Sequence, residues 1–332
     1  MGVVHGLHLY RSRLPVTEYI AIPVFGFLNL DKPPGITSRD VVNRVQRLVR
    51  PLKVGHAGTL DPLATGVLIV CLGQATRLVD CVQRYPKRYD ATFLLGQSSD
   101  TEDIEGRVVE RPDAPLVTAA QIEHVLPRFT GEIQQVPPAF SALKVAGRRA
   151  YHMARQGETV TLAARPITIH AVRLVELAYP RLRLDITCGS GTYVRSLGRD
   201  IARALSTEAV MSALRRTEIG PFTVADALDF DSLTADVIAT HLAAPLLALQ
   251  GTARRRVSTA EERRLRNGLA IAEGEVEGAP LRQGEAAGSG EDSEGPTMAA
   301  LSPAGELVAL LRPGASGELR PYLVFPRDDA TA

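Results

Sequence analysis

Cysteine is scarce in this chain. The three residues, Cys71, Cys81 and Cys188, form no CxxC pair, which excludes a disulfide framework and a cysteine-built zinc site. So sparse and odd a set fits the reducing cytoplasm, with each thiol buried and unpaired. Long apolar runs are absent too. None approaches the roughly 20 residues that a bilayer crossing needs, so no membrane span is expected. The first 24 residues have apolar patches, but Arg11, Arg13 and Glu18 interrupt them. They lack the compact apolar region of a secretory signal and read as an N-terminal extension. Net charge is nearly missing, at +1, so the total announces no nucleic-acid partner. Its distribution says more. Basic residues gather at 39–53, 148–149, 195–203, 215–216 and 254–266, and acidic ones at 100–105 and 273–294. A near-zero sum can hide a basic face.

What is present is ordinary globular material. The 332 residues, 45% hydrophobic and 23% charged, suggest about two domains with a sizeable core. Phe25 to Leu30 reads as a buried strand, and 31–35 as the turn that ends it. Thr37 or Ser38 offers an N-cap, and Val41, Val42, Val45, Leu48 and Val49 line one face of the helix that follows, which Pro51 stops. Lys53 to Gly66 is a punctuated loop, Val67 to Leu72 a compact apolar strand, and 75–82 a helix. Tyr89 to Leu95 alternates as a half-buried strand does. Val108 and Val109 follow a turn at Glu105-Gly106 as a hairpin partner. Thr118 and Gln121 have capping-box spacing. Residues 131–165, rich in proline, glycine and basic residues, are expected to project as an arm. Ile167–Leu177 and Leu182–Cys188 read as strands, and 189–191 turns the chain into a helix over 193–205. The mixture implies an α+β, mixed α/β sheet. After residue 250 the texture changes. Residues 277–297 are rich in Gly, Glu, Ala and Ser, an insert expected to be disordered. Short strands at 298–301, 306–311 and 322–325 then suggest a small β-rich domain.

The densest punctuation is Gly55-His56-Ala57-Gly58-Thr59-Leu60-Asp61-Pro62-Leu63-Ala64-Thr65-Gly66. A phosphate-binding P-loop needs a lysine after its glycines, and none follows. GxGxxG is absent, and a metal site would want more ligands at short spacing. What remains is one histidine and one carboxylate on a constrained loop. Asp61 could equally be an N-cap with Pro62 at the first helical position, and His56 a loop histidine satisfied by backbone. The glycines at 189–191 could hold a phosphate at a helix N-terminus, though a plain strand-to-helix turn is the preferred reading. Arg195, Arg199 and Arg203 stand at i, i+4, i+8; such a stripe is usually a solvated face, but its first member sits beside a strand end, where sites gather. Asp100, Glu102 and Asp103 lack the EF-hand pattern and read as a turn or as partners for arginines.

Taken in order, these segments resemble the TruB family of tRNA pseudouridine synthases, which modify uridine 55 of the TΨC arm. The resemblance runs from Gly26 to about Phe222. It is carried by Leu30-Asp31-Lys32-Pro33, the Gly55–Gly66 segment, Lys87-Arg88-Tyr89, Ser141-Ala142-Leu143-Lys144, Ala154-Arg155-Gln156-Gly157, Arg165-Pro166-Ile167, Gly191-Thr192-Tyr193-Val194-Arg195 and Leu214-Arg215-Arg216. It implies a pseudouridine synthase fold with a central mixed, largely antiparallel sheet over 25–248, the arm at 131–165 clasping the RNA hairpin, and a small RNA-binding PUA-like domain over 250–326, which here carries the acidic insert.

The chemistry that the resemblance implies breaks the N-glycosidic bond, rotates the uracil and rejoins it through C5, with no cofactor and no metal. Asp61 matches the catalytic aspartate, acting by nucleophilic attack or by stabilising a glycosyl cation. Arg195 matches its ion-pair partner, and Asp103 would join that charge network. Tyr89 matches the tyrosine that stacks on the flipped uracil, and Tyr193 and Leu214 match pocket-lining positions. His56 matches the histidine that fills the gap left by the extruded base, a role that needs a flat ring more than a charge. Lys32 matches a lysine beside the cleft, either structural or phosphate-facing. Arg148 and Arg149 would meet phosphates, which position RNA without reading sequence. The expected partner is the TΨC stem-loop of tRNA, bound by a cytoplasmic monomer with no membrane and no obligatory protein partner. The alternatives are a guide-dependent synthase acting on other RNAs and a tRNA-binding chaperone with dispensable catalysis; the joint presence of Asp61, Tyr89 and Arg195 argues against a catalytically dead relative.

Overall fold

Residues 25–141, 143–145, 147–275 and 298–325 are described by the computed structural model. The extension expected over 1–24 and the acidic insert expected over 277–297 lie outside the described residues. The chain begins with β1 (Gly26–Lys32), α1 (Ser38–Leu48), β2 (Val54–His56) and β3 (Thr65–Leu72). Thr37 caps α1 in a capping box: the Asp40 N–H donates to its hydroxyl at 3.1 Å, and its own N–H donates to the Asp40 carboxylate at 2.9 Å. The helix expected over 75–82 is a 3-10 stretch, Gly73–Leu78, running into α2 (Val79–Arg84). Next come β4 (Lys87–Leu95), the β5 (Gln97–Ser98) and β6 (Val109–Glu110) hairpin, and α3 (Ala119–Val125), capped by the Thr118–Gln121 box. β7 (Gly131–Gln135), the β8 (Lys144–Val145) and β9 (Arg148–Arg149) hairpin, and α4 (Ala150–Arg155) follow. Then come β10 (Arg165–Ala178), β11 (Arg181–Cys188), α5 (Val194–Arg203), β12 (Ala209–Ile219), β13 (Phe222–Thr223), β14 (Leu228–Asp229) and α6 (Ala235–Thr240). The C-terminal part contains β15 (Ala253–Arg256), α7 (Thr259–Arg266), β16 (Met298–Leu301), β17 (Leu307–Pro313) and β18 (Leu319–Val324).

The main sheet has the order β14-β1-β3-β12-β4-β11-β10-β7, with β2 also on β3 and β13 also on β12. It is mixed and largely antiparallel: β1 with β14 and β3 with β12 run parallel, and the other described pairings antiparallel. Two patterns in the sequence explain its two halves. β3 is a continuous apolar run because both its faces are buried. Leu68, Val70 and Leu72 join the core beneath α1, α3 and α5, while Val67, Ile69 and Cys71 join a second core on the opposite face. β4 and β11 alternate because only one face is covered. Ala91, Phe93, Leu184 and Ile186 pack inward, and outward Arg88 pairs with Asp185 at 2.7 Å and Arg183 with Asp90.

β12 has no counterpart in the sequence-based reading, which assigns no element to 206–222. It is an interior strand between β3 and β4, and bulges between Met211 and Ala213 and between Arg216 and Glu218 break its period of two. A strand whose alternation is broken twice has no clean pattern to read. The arm is also shorter than expected. Gly131–Gln135 pairs with β10 as the edge of the sheet, so the part that leaves it spans 136–164. On the second face, the sheet β15-β16-β17-β18 packs through Ala299, Leu301, Leu307 and Leu310 onto Phe27, Ile69 and Leu78. Phe25 stacks on Phe325 at 5.7 Å, and Arg77 lies over the Phe325 ring. Among the described residues no helix is long and apolar enough to cross a membrane.

Candidate active site

Six segments of the chain converge on an open cleft of about 930 Å³. The loop from β2 to β3 brings Thr59, Asp61 and Pro62, and β4 brings Lys87 and Tyr89. The loop after β5 brings Thr101, Asp103 and Glu105, and the 189–195 segment brings Tyr193 and Arg195. From β12 come Leu214 and Arg216, and from the root and helix of the arm Phe140, Ser141, Tyr151 and Arg155.

Asp61 opens a tight turn rather than a helix. The Ala64 N–H donates to the Asp61 carbonyl at 3.0 Å, so the N-cap reading does not hold. Two buried cationic side chains fasten this turn from behind, and a third ties the strand beside it. Lys32, fully buried, donates through Nζ to the carbonyls of Pro33, Pro62 and Ala64 at 2.9, 3.2 and 2.7 Å. Arg216, 2% exposed, donates to Val67 at 2.7 Å and to Gly58 at 3.2 Å. Arg215 grips the Asp31 carboxylate on β1 at 2.7 Å. Gly66 has φ +95, and a Cβ there would stand 2.2 Å from the Arg216 carbonyl oxygen, so only glycine lets β3 and β12 approach at the base of the turn. The loop is thus rigid where its carboxylate emerges half-exposed into the cleft.

Arg195 meets that carboxylate from α5. Its Nη2 lies 3.1 Å from Asp61 Oδ2, and its Nη1 lies 3.5 Å from Asp103 Oδ2. The guanidinium also donates to the carbonyls of Thr101 at 2.7 Å and Phe140 at 3.2 Å. With both acids and two carbonyls around it, a buried arginine has its fork filled. Asp103 is held in turn by the Thr101 hydroxyl and by the Glu105 N–H at 3.0 Å. α5 can come this close because residue 198 is glycine: a Cβ there would fall 2.0 Å from the Phe93 ring of β4. The start of α5 is fixed by buried Gln135, which accepts from the Tyr193 N–H at 2.9 Å and donates to the Tyr193 carbonyl at 3.0 Å.

The solvated-stripe reading fails for two of its three arginines. Arg195 and Arg199 are buried against the acidic loop, and only Arg203 is exposed. The same loop answers the other question, since Glu102 and Asp103 are partners for these arginines. The glycines at 189–191 make the strand-to-helix turn.

Electrostatics differ from group to group in the cleft and behind it. Burial pushes the Tyr89 phenol up, so it stays protonated at neutral pH. Burial lowers the Lys32 and Lys87 ammonium groups to about 8. Glu105 is raised by burial and by Asp103 and Asp61 beside it. His56 is lowered by burial, then by Arg39 and Arg216, which leaves it neutral at pH 7.

Six of the residues singled out from sequence line the cleft together: Asp61, Tyr89, Asp103, Tyr193, Arg195 and Leu214. The structure places the other four elsewhere. Lys32 lies behind the Asp61 turn and His56 on β2, opposite Val70. Arg148 and Arg149 sit on the arm hairpin, where Arg148 pairs with Glu158 at 2.7 Å. Arg216, Lys87, Glu105, Tyr151 and Arg155 line the cleft without having been singled out. Lys87, Arg155 and Arg216 lie inside motifs that carry the family resemblance, so position in the motif was the available signal. Nothing in spacing pointed to Glu105.

Residues 46–194 match the family described as TruB family pseudouridylate synthase (N terminal domain), and residues 195–249 match the tRNA pseudouridylate synthase B C-terminal domain. The boundary between the two matches falls inside α5, so both contribute to one sheet and one cleft. The chain is 45% identical over 307 residues to tRNA pseudouridine synthase B of Arthrobacter sp. (strain FB24), covering 90% of this chain and 96% of that protein. It is 41% identical over 308 residues to tRNA pseudouridine synthase B of Thermobifida fusca (strain YX), covering 90% and 98%. Among solved structures it resembles a chain of a Cbf5-Nop10-Gar1 complex, with TM-score 0.63 and 26% identity over 87% of this chain and 78% of that one.

Proposed function

Because the chain belongs to the TruB family of pseudouridylate synthases, we propose that Asp61 is the carboxylate with which it converts uridine to pseudouridine in the TΨC loop of tRNA. Pseudouridine formation in tRNA is the activity its relatives carry, and position 55 is the site of action in this reading. The observation that supports the assignment of Asp61 most directly is its pairing with Arg195 at 3.1 Å at the mouth of a cleft that also holds the Tyr89 ring.

The reaction breaks N1–C1′ and forms C5–C1′; N1 gains a proton and C5 loses one. No electrons leave and no group is transferred away, so the balance calls for no cofactor. A carboxylate at the cleft mouth can attack the substrate or stabilise a glycosyl cation. Tyr89, with Leu214 and Tyr193 around it, gives the extruded uracil a ring to stack on. Extrusion costs a few kcal/mol, which stacking at about 1–3 kcal/mol per base helps to offset. Arg195 fixes the carboxylate's direction, and its other partners keep it from swinging to a substrate phosphate.

The arm, with Tyr151 and Arg155 over the cleft and Arg148 and Arg149 at its hairpin, clasps the stem. Arg148 can exchange its exposed Glu158 partner for a phosphate at little cost, because exposed ion pairs contribute only about 0–1 kcal/mol. Residues 25–248 form the catalytic domain in this reading, and 250–326 a PUA-like unit that adds RNA contacts. The enzyme acts in the cytoplasm as a monomer without an obligatory protein partner, unlike the neighbour solved as a Cbf5-Nop10-Gar1 complex; light scattering of the purified protein tests the monomer.

The deciding experiment incubates a TΨC hairpin, tritiated at C5 of uridine, with the wild type and with Asp61→Asn. Wild type releases the label from one uridine, while Asp61→Asn releases none yet binds the hairpin within a few-fold. Multiple turnover by a verified Asp61→Asn preparation would remove Asp61 from its role.

A further inference from the structure

Helix α5 carries a second arginine one turn beyond Arg195, and its contacts repeat those of the first. Arg195 reaches Asp103 of the acidic loop and the Phe140 carbonyl at the root of the arm. Arg199 reaches Glu102, the neighbouring residue of the same loop, and donates through Nη2 to the Val136 carbonyl at 2.9 Å. The Arg199 and Glu102 side chains are only 11% and 12% exposed. The second Glu102 carboxylate oxygen accepts from the Ser196 hydroxyl at 2.6 Å, and Arg199 Nε donates to Asp200 at 2.9 Å.

In an extended segment two adjacent side chains point to opposite sides. Glu102 escapes this because its φ is +64. That left-handed backbone is strained for a residue with a side chain and persists only where its surroundings over-determine it. Here it lets two adjacent acids face two arginines about 6 Å apart along one helix. The main chain of the loop is held separately by β12: the Met211 N–H donates to the Glu102 carbonyl and the Ile104 N–H to the Met211 carbonyl, both at 3.0 Å. A buried ion pair is weak evidence for stability, and fixing register is the best-attested use of one.

We infer that Glu102 and Arg199 are positioning residues for the isomerisation: their buried pair sets the acidic loop on α5, so that Asp103 aims Arg195 at Asp61. This rests on the assignment of Asp61 and Arg195 above. Neither residue lines the cleft, so the pair acts on turnover and not on RNA affinity. A misplacement of about 1 Å at a reacting group costs on the order of 10²-fold in rate. A loop that loosens without detaching loses part of that.

Glu102→Gln keeps the shape and removes the charge. Single-turnover and steady-state kinetics on the TΨC hairpin are expected to show kcat lowered about 10- to 100-fold with KM within twofold. Asp103→Asn combined with Glu102→Gln is expected to be no slower than Asp103→Asn alone, because both act through one guanidinium. Arg199→Lys, which keeps the charge, is expected to retain more kcat than Arg199→Met. An unchanged kcat, losses that multiply in the double variant, or a loss confined to KM overturns the inference. If Glu102→Gln does not fold, Ser196→Ala carries the same test, with kcat lower by threefold or more and the same non-multiplication with Asp103→Asn. The wild type on the same hairpin separates the two levels. No turnover by it sinks the functional reading and this inference together, whereas wild-type turnover matched by Glu102→Gln sinks this inference alone.

Discussion

Replacing Lys32 by methionine separates the two roles that a lysine beside the cleft could have. Its Nζ serves three carbonyls that bracket the Asp61 turn. Methionine fills much the same volume and donates nothing. The Pro62 carbonyl would keep the Gly35 N–H at 2.8 Å, while those of Pro33 and Ala64 lose the Lys32 donor, at about 1–3 kcal/mol each. Against that stands relief of a buried charge. Burial holds the ammonium at about 8, below the ordinary 10.5. Between those values the unfolded chain binds more protons than the folded one, so this group makes stability rise as pH climbs from about 8 to 10.5. At about 1.36 kcal/mol per pH unit the rise is about 3 kcal/mol. The two effects nearly cancel at pH 7, where Lys32→Met is expected to cost about 0–3 kcal/mol. By pH 10.5 the wild type has gained its share and the variant has not, so the deficit is larger by about 3 kcal/mol. Urea unfolding of both proteins across this range measures the difference, in which every other titrating group cancels. In hairpin kinetics the loosened turn is expected to lower kcat about 10- to 100-fold with KM nearly unchanged. A deficit that shrinks with pH refutes the burial argument. A raised KM with a shallower salt dependence, as expected of a lost phosphate contact, refutes the structural role.

Arg195→Ala is expected to lower kcat by about 10²–10³-fold, the range for a preorganised electrostatic partner, and raising RNA concentration should not restore it; recovery at high RNA would reassign Arg195 to substrate binding. His56→Phe is expected to keep substantial single-turnover activity and His56→Ala to lose about tenfold or more, as loss of a stacking ring would. Equal, deep losses in both variants, with one ionisation gone from the pH profile, would make His56 a proton carrier. Gly66→Ala is expected to destabilise the fold by at least about 2 kcal/mol, from a positive φ and a Cβ forced against the Arg216 carbonyl; an unchanged urea midpoint would show that β3 and β12 can separate freely.

Local order was legible in the sequence by itself. Capping boxes at Thr37 and Thr118 and the strands β1, β3, β4, β10 and β11 could be read because their signals lie within a few residues: a hydroxyl three positions before its partner, an apolar run, a period of two. The constrained loop around Asp61 was legible from its glycines and prolines, but residue types alone left Asp61 open between an N-cap and a turn, and the hydrogen bond from the Ala64 N–H decided for the turn. Tertiary structure alone decided what required residues distant in the chain. β12 lies between strands from far earlier segments, and its bulges erase the alternation that would have announced it. Whether Arg195, Arg199 and Arg203 face solvent or acid depends on where the 100–105 loop packs, and no periodicity within α5 carries that information. Lys32 and Arg216 become braces for the Asp61 turn only once β1, β3 and β12 are neighbours. A side chain's chemistry is written in its type, but its partner is fixed by the fold, because burial leaves a charge no water to choose instead.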